Sequence, residues 1–186
     1  SYQQLLAQKD VLIERLQTPA DQVPVDEQGG AAAPALGAGG AARAIAVELG
    51  LCGAGHITVV NRSAERAQPL VDLLNQEVKV AAEFAPWSGD YEVPAGTDVL
   101  INATTIGMGQ PTTRVPIQLK SLAPETIVAD VVISPGDTCF LREAREHGCR
   151  TLDGLGMLVN QGVICFRVWT GQEPDAVVLR EALEEF

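Results

Sequence analysis

The sequence predicts an α/β protein with a doubly wound, parallel β-sheet and helices on both of its faces. Two observations predict this fold class. After residue 31, runs of β-branched residues with strand length alternate with segments of helical periodicity. A glycine-rich turn also joins the first predicted strand to the first predicted helix. Ligands of such sheets lie beyond the carboxyl ends of the strands, so we expect the functional residues to gather there.

The first predicted strand, residues 31–36, leads through this turn into an alanine-rich helix over residues 41–51. Glycines remove Cβ atoms from the turn, and the helix directs backbone N–H groups and its positive dipole end at a ligand. A pyrophosphate fits this arrangement, which predicts a dinucleotide site in a Rossmann-like fold. A flexible glycine linker is the alternative interpretation. The residues expected at the phosphates are Gly37, Ala38, Gly39, Gly40, Ala41 and Ala42.

Pro34 is an unexpected residue in the first strand, because proline cannot donate a backbone hydrogen bond. We expect it to mark an irregular strand, a sequence error or a junction from which something has been removed.

The second predicted strand, residues 56–60, ends in Asn61, Arg62 and Ser63. In an NAD site, an acidic residue about 20 positions past the glycines binds the ribose 2′-hydroxyl. Arg62, with Arg66 one helical turn later, instead offers two guanidinium groups suited to a 2′-phosphate. The sequence therefore favours NADP over NAD as the cofactor. The alternative is that both arginines are ordinary solvated residues, with Arg66 paired to a nearby carboxylate.

The rest of the chain continues the alternation of strands and helices. The predicted strands cover residues 78–83, 98–103, 126–132 and 150–152, and the predicted helices cover residues 64–74, 138–146, 155–169 and 175–185. Residues 85–96 are rich in proline and glycine and predict a loop. Residues 31–186 are therefore expected to form one domain. Before it, residues 2–16 predict an amphipathic helix and residues 18–30 a linker, so residues 1–30 form a separate segment.

Composition limits the function classes. The 186 residues are 46% hydrophobic, which is enough for one α/β domain with a sizeable core. A net charge of −11 argues against nucleic acid or an anionic membrane surface as a partner. No apolar run is long enough for a membrane span and no secretion leader is recognisable, so the cytoplasm is the expected compartment.

The cysteines and histidines do not predict a metal site. Cys52, Cys139, Cys149 and Cys165 lack Cys-x-x-Cys spacing, so we expect buried, reduced thiols. The two histidines, His56 and His147, are expected to be structural.

A set of motifs resembles the shikimate and quinate dehydrogenase family. The motifs are GAGGAA at residues 37–42, NRS at 61–63, NATTIGM at 102–108, DVVISP at 130–135 and DGLGMLVNQ at 153–161. The resemblance runs from about residue 36 to the C-terminus and implies the NADP-binding domain of that family. It implies that Asn102, Ala103 and Thr104 border the ribose and nicotinamide of the cofactor. It also implies a cofactor contact at Val131, a nicotinamide pocket lined by Gly154 and Met157, and a substrate contact at Gln161.

The sequence departs from the family pattern in two functional places. Ile133 stands where the family usually carries a tyrosine that contacts the substrate, which weakens the case for shikimate itself. The family's N-terminal substrate domain, with its catalytic lysine and aspartate, is not recognisable. Lys9 and Asp10 are adjacent, but their surroundings do not match, so the catalytic residues stay unassigned.

The resemblance implies an NADP-dependent oxidoreductase that transfers hydride reversibly between NADP(H) and a hydroxylated ring acid such as shikimate, quinate or a relative. Its pathway would be aromatic amino acid biosynthesis. Two alternatives stay open: a non-catalytic NADP-binding or sensing module, and another NADP enzyme such as a folate dehydrogenase. We also expect an exposed apolar face where the substrate domain would dock, which would favour a homodimer or aggregation.

Overall fold

A computed structural model describes residues 30–134 and 136–184. Its strands form one six-stranded, fully parallel sheet in the order β3-β2-β1-β4-β5-β6. This order reverses direction between β1 and β4, which is the switch point of a doubly wound sheet. The strands are β1 (Ala32–Leu36), β2 (His56–Asn61), β3 (Ala81–Pro86), β4 (Val99–Asn102), β5 (Ile127–Asp130) and β6 (Arg150–Leu152). The predicted fold class is confirmed.

Helices cover both faces of the sheet, because the strands bury residues on both sides. One core cluster joins Ile57 and Val59 of β2 to the first two helices, and the other joins Val60 to Phe140 and Leu141 of the third. The helices are α1 (Gly40–Leu51), α2 (Ala64–Leu73), α3 (Cys139–Glu146), α4 (Leu155–Thr170) and α5 (Ala176–Glu184), with a π-helical turn at Leu74–Val78 and a 3-10 turn at Leu119–Ser121.

Pro34 lies inside β1, where it pairs in register with Thr58 of β2. The backbone C=O of Leu36 accepts from the N–H of Ala103, so the backbone N–H and C=O groups of the even-numbered residues of β1 point towards β4. The N–H that Pro34 lacks would therefore have pointed towards β4. Asp98 forms two hydrogen bonds with Ala32 at the start of the same strand. Its carboxylate accepts from the N–H of Ala32 (3.0 Å), and its own N–H donates to the C=O of Ala32 (3.0 Å). The strand is therefore regular enough to remain at the centre of the sheet.

The third strand was misplaced by the sequence analysis, which predicted it over residues 78–83. Helix α2 continues through the π-helical turn to Val78, and Lys79 ends it in the left-handed conformation (φ 64°). Asn75 then fixes the start of β3, because its side chain donates to the C=O of Ala82 (2.8 Å) and accepts from its N–H (3.1 Å). Val78 and Val80 pack beside Gly50 of α1 and precede the strand.

The C-terminal helices α4 and α5 expose several large apolar side chains, referred to below as the apolar face. That a substrate domain docks on such a face stays a prediction. Helix α4 buries only Gly156 and Val159, and α5 buries no residue. The exposed side chains are Ile164, Phe166, Val168, Trp169, Val177 and Val178. The predicted helix over residues 2–16 and the linker that follows it lie outside the described residues.

Candidate dinucleotide site

The glycine-rich turn joins β1 to α1 at the switch point of the sheet. Gly37 has a φ of 109° and donates its N–H to the C=O of Val60 at 2.7 Å. A Cβ at this position would lie 3.0 Å from the Thr104 side chain and 3.1 Å from the Ala103 carbonyl oxygen. Only glycine satisfies both the backbone angle and the close approach.

Gly39 and Gly40 have a different role from Gly37. Neither would bring a Cβ within 4 Å of any other atom, so the space beside them is open. Gly39 is the N-cap of α1 in an extended conformation, and no side chain caps the helix. The backbone N–H groups of the first turn are therefore available to an anion. Ala41 is half-buried and Ala42 is buried against the sheet, so small side chains hold this helix close to β1.

The end of β2 presents two arginines beside this turn. The side chain of Asn61 donates to the Ser63 carbonyl (2.9 Å), and the Ser63 hydroxyl caps α2 by accepting from the N–H of Arg66 (3.4 Å). Arg62 and Arg66 are exposed. Within the described part of the chain, neither guanidinium group forms an ion pair, so the expected alternative pairing of Arg66 with a carboxylate is not found there.

On the other side of the switch point, a buried polar network joins the ends of β4 and β5. Asn102 is fully buried, and its Nδ2 donates to Oδ1 of Asp130 (3.0 Å). Its Oδ1 accepts from the Thr104 hydroxyl (2.6 Å) and from the Thr104 N–H (3.2 Å). The Asn102 side chain thus forms its hydrogen bonds within the protein. Thr104, to which it bonds, is half-buried, and Thr105 is exposed.

Asp130 is the centre of the network and is 2% exposed. Besides Asn102, it accepts from the N–H of Val132 (3.0 Å) and from the hydroxyl of Thr138 (2.7 Å), which in turn caps α3. Burial raises the pKa of the Asp130 carboxyl, and these three hydrogen bonds oppose the rise. The sequence analysis missed the roles of Asp130 and Thr138; an aspartate at a strand end, eight residues before a threonine that starts a helix, was the available signal.

Helix α4 begins against the end of β5. A Cβ on Gly154 would lie 2.6 Å from the carbonyl oxygen of Val131, so the helix start sits directly on that backbone. Asp153 accepts from the N–H of Leu155 (3.1 Å). Met157 is half-buried and Gln161 is exposed. The structure therefore brings Val131 and Gly154 together, while Gln161 lies farther along the same helix.

The loop after Thr104 is tied to α3 by contacts that the sequence did not predict. The N–H of Gly109 donates to the Ser134 carbonyl (2.9 Å), and the Arg142 guanidinium donates to the Pro111 carbonyl (2.6 Å). Arg114 also pairs with Glu143. These contacts hold the loop against the segment that leaves β5.

Other predicted features can be located in the described residues. His56 contacts Glu83 (3.2 Å), and His147 ends α3. All four cysteines are free; only Cys149 is buried, Cys52 and Cys139 are half-buried, and the expectation of burial is wrong for the exposed Cys165. Over residues 30–134 and 136–184, no three metal-ligating side chains cluster closely enough to hold an ion, and no helix is both long and apolar enough to cross a bilayer.

Comparisons with known proteins agree with this geometry. The family described as shikimate 5′-dehydrogenase C-terminal domain matches residues 154–184. The shikimate dehydrogenase (NADP(+)) of Desulforamulus reducens is 36% identical over 159 residues, which cover 84% of this chain and 55% of that protein. This chain thus spans about half the length of the curated relatives it matches.

Two solved structures share the fold. The ligand-free 5-ketofructose reductase of Gluconobacter sp. strain CHM43 is 51% identical with a TM-score of 0.80, covering 87% of this chain and 58% of that one. The quinate dehydrogenase of Corynebacterium glutamicum, in complex with NAD, is 35% identical with a TM-score of 0.76, covering 84% and 55%. The motifs, the fold and these relatives show that the chain belongs to the shikimate and quinate dehydrogenase family.

Proposed function

We propose that this chain is the NADP(H)-binding part of an oxidoreductase that transfers hydride reversibly between NADP(H) and a hydroxylated substrate. The observation that carries the proposal is the position of Arg62 and Arg66. Both are exposed, Arg62 directly after β2 and Arg66 in the first turn of α2, and neither forms an ion pair within the described residues. A 2′-phosphate would supply the negative partner that these positively charged guanidinium groups lack.

The proposed cofactor lies across the switch point. Its pyrophosphate would accept hydrogen bonds from the first turn of α1 beside Gly39 and Gly40, where no protein atom occupies the space. The adenosine half would then extend over β2 towards the arginines. The nicotinamide half would extend over β4 and β5, towards Thr104, Val131, Gly154 and Met157. Neighbouring strands are about 4.8 Å apart, so β2 and β5 stand about 14 Å apart, a span that suits an extended dinucleotide.

The nicotinamide ring supplies the hydride chemistry when it is bound, and this chain's residues bind and orient it. Reduction of a ketone also requires a proton, which a positioned acid–base pair delivers. The lysine and aspartate motifs of the family are not recognisable in this sequence, so we assign proton transfer to the part of the relatives that this chain does not span. A hydroxylated ring acid such as shikimate or quinate is the first substrate class.

A keto sugar is the second substrate class. The 51% identical relative is named a 5-ketofructose reductase, and Ile133 cannot donate the hydrogen bond that the family's tyrosine gives to a ring acid. Ile133 is 37% exposed and lies against Gly154, so an apolar side chain faces this end of the site. A longer protein containing this chain, assayed for reduction of NADP⁺ with shikimate or quinate and for oxidation of NADPH with 5-ketofructose, distinguishes the two classes.

Cofactor binding is tested first, by calorimetric titration of the chain with NADPH and NADH side by side. We expect NADPH to bind at least about tenfold more tightly. Replacing Arg62 and Arg66 with alanine should cost NADPH about 1–3 kcal/mol and leave NADH nearly unchanged, because charged hydrogen bonds to the phosphate are lost. Arg150→Ala, an exposed arginine at the opposite end of the sheet, is the matched control.

The outcomes separate the candidate functions. Equal losses for NADPH and NADH would refute the 2′-phosphate assignment. Binding without turnover in a longer protein that contains this chain would favour the non-catalytic NADP-binding or sensing module. Failure to bind either dinucleotide would contradict both functions.

A further inference from the structure

A single buried carboxylate connects three segments at one end of the proposed site. Asp130 ends β5, which stands next to β4 and on the opposite side of β1 from β2. The arginines proposed to bind the 2′-phosphate are at the end of β2. Asp130 therefore lies beneath the half of the site that would hold the nicotinamide, and far from the half that would hold the adenosine.

The donors to Asp130 come from three different segments. Asn102 belongs to the end of β4, Val132 to the segment that leaves β5, and Thr138 to the cap of α3. All three contacts are buried. Because a buried carboxylate without donors is strongly unfavourable, this arrangement holds the three segments in one relative position.

The carboxylate also sets the orientation of a neighbouring amide. An ionised carboxylate only accepts hydrogen bonds, so the Asn102 side chain must direct its NH₂ group towards Asp130. Its carbonyl oxygen then points the other way and accepts from both the hydroxyl (2.6 Å) and the N–H (3.2 Å) of Thr104. Thr104 in turn accepts from the N–H of Ile106 at 3.1 Å, which starts the loop. The order of contacts runs from Asp130 through Asn102 to the half-buried Thr104, whose methyl group would lie 3.0 Å from a Cβ on Gly37 of the glycine-rich turn.

We propose that Asp130 is a positioning residue for the nicotinamide end of the cofactor, acting through Asn102 on Thr104 and its loop. This inference rests on the proposed function. Asp130 is 2% exposed and accepts three hydrogen bonds from the protein, so it acts without touching the cofactor. Its role is to fix the wall against which the nicotinamide half binds.

The test compares two ligands that share the adenosine end. NADPH carries the nicotinamide, whereas 2′,5′-ADP keeps the 2′-phosphate and lacks the nicotinamide half. Asp130→Ala should weaken NADPH binding by about tenfold and change 2′,5′-ADP binding by less than about twofold. Asp130→Asn should retain NADPH affinity within about threefold, because the N–H of Val132 holds the amide oxygen in place and its NH₂ can donate to Thr138.

Matched variants separate positioning from a general loss of stability. Thr126→Val removes an equally buried hydrogen bond, to the carbonyl of Thr97 (2.9 Å), immediately before the same strand but at its amino end. It should lower the melting temperature and leave the affinities for both ligands unchanged. Should Asp130→Ala not fold, Asn102→Ala removes the side chain that connects Asp130 to Thr104. This variant should show the same selective loss of NADPH affinity.

Two results would overturn the inference: equal weakening of NADPH and 2′,5′-ADP by the Asp130 and Asn102 variants, or unchanged binding of both. Failure of the proposed function gives a different result, because the unmodified chain would then bind neither ligand.

Discussion

Gly154 offers the sharpest test of how α4 is seated against the site. Its backbone is in the right-handed helical region (φ −78°, ψ −9°), so alanine can adopt the conformation without strain. The obstacle is space, since a Cβ would lie 2.6 Å from the carbonyl oxygen and 2.8 Å from the carbonyl carbon of Val131. These are backbone atoms at the end of β5, and they cannot rotate away. Gly154→Ala must therefore shift α4 or the strand end.

The expected magnitude combines two effects. Overpacking of this kind costs about 1–3 kcal/mol, and the reduced entropy of the unfolded chain returns about 0.4–1 kcal/mol. We expect a net loss of about 1.3 kcal/mol. Gly162→Ala in the same helix is the control: its Cβ would meet only a Leu179 methyl group at 3.8 Å. There the better helix propensity of alanine should stabilise the protein by about 0.5–1 kcal/mol.

Thermal unfolding followed by circular dichroism measures both variants. In a domain of this size, 1 kcal/mol corresponds to about 2–4 °C. We expect the melting temperature of Gly154→Ala to fall by about 3–5 °C and that of Gly162→Ala to rise slightly. The affinity for NADPH should fall in the first variant alone, because only that change moves the helix start at the proposed nicotinamide pocket. A Gly154→Ala protein as stable as the unmodified chain would refute the close contact between α4 and β5.

Three further predictions address the phosphate turn, the buried carboxylate and the apolar face. Gly39→Val should abolish dinucleotide binding and leave the melting temperature unchanged, since the extended backbone (φ −89°) accepts valine and its side chain would occupy the open space of the turn. The folded-state pKa of Asp130 is raised above its usual 3.8, so its contribution to stability is greatest below that pH and is lost as pH rises through the raised pKa. In urea unfolding at increasing pH, the free energy of unfolding of Asp130→Asn should therefore increase relative to that of the unmodified chain as pH rises from 3.8 through the raised pKa. A difference in unfolding free energy that does not change with pH would contradict the effect of burial on the pKa. Trp169→Lys should lower self-association of the chain in sedimentation velocity, because Trp169 is 80% exposed within the apolar face, whereas Leu51→Lys, an isolated residue that is 67% exposed, should not.

The first βαβ unit was predictable because its information is local. The glycine spacing, the β-branched run of β2 and the arginines after it are all readable within thirty residues, and the structure places them around one turn. Even there, the tolerance of Pro34 was not predictable. The strand that contains it is paired on both sides and is bonded at Ala32 by the side chain and backbone of Asp98, a residue distant in sequence.

The misplaced β3 has a related cause. Val78, Val80 and the residues after them have strand propensity, but the chain uses the two valines to cover Gly50, where their methyl groups would lie 2.7 and 2.9 Å from an added Cβ. Tertiary packing overrode the local preference. The Asp130 network was not predicted for a similar reason. Asn102, one of its partners, is distant in sequence, and only the pairing of β4 with β5 brings it to Asp130.

The two ends of the proposed site are built from different interactions, and this difference is measurable. Arg62 and Arg66 are exposed charges without ion-pair partners in the described residues, whereas Asp130 at the end of β5 is buried and accepts three hydrogen bonds. Exposed charges are screened by salt over about 10 Å at 0.1 M and about 3 Å at 1 M ionic strength, while buried hydrogen bonds are screened much less. Raising NaCl from about 0.1 to 1 M should therefore shrink the preference for NADPH over NADH. The loss of NADPH affinity caused by Asp130→Ala should stay nearly constant over the same range. A cofactor preference that survives high salt would mean that groups other than Arg62 and Arg66 select the 2′-phosphate.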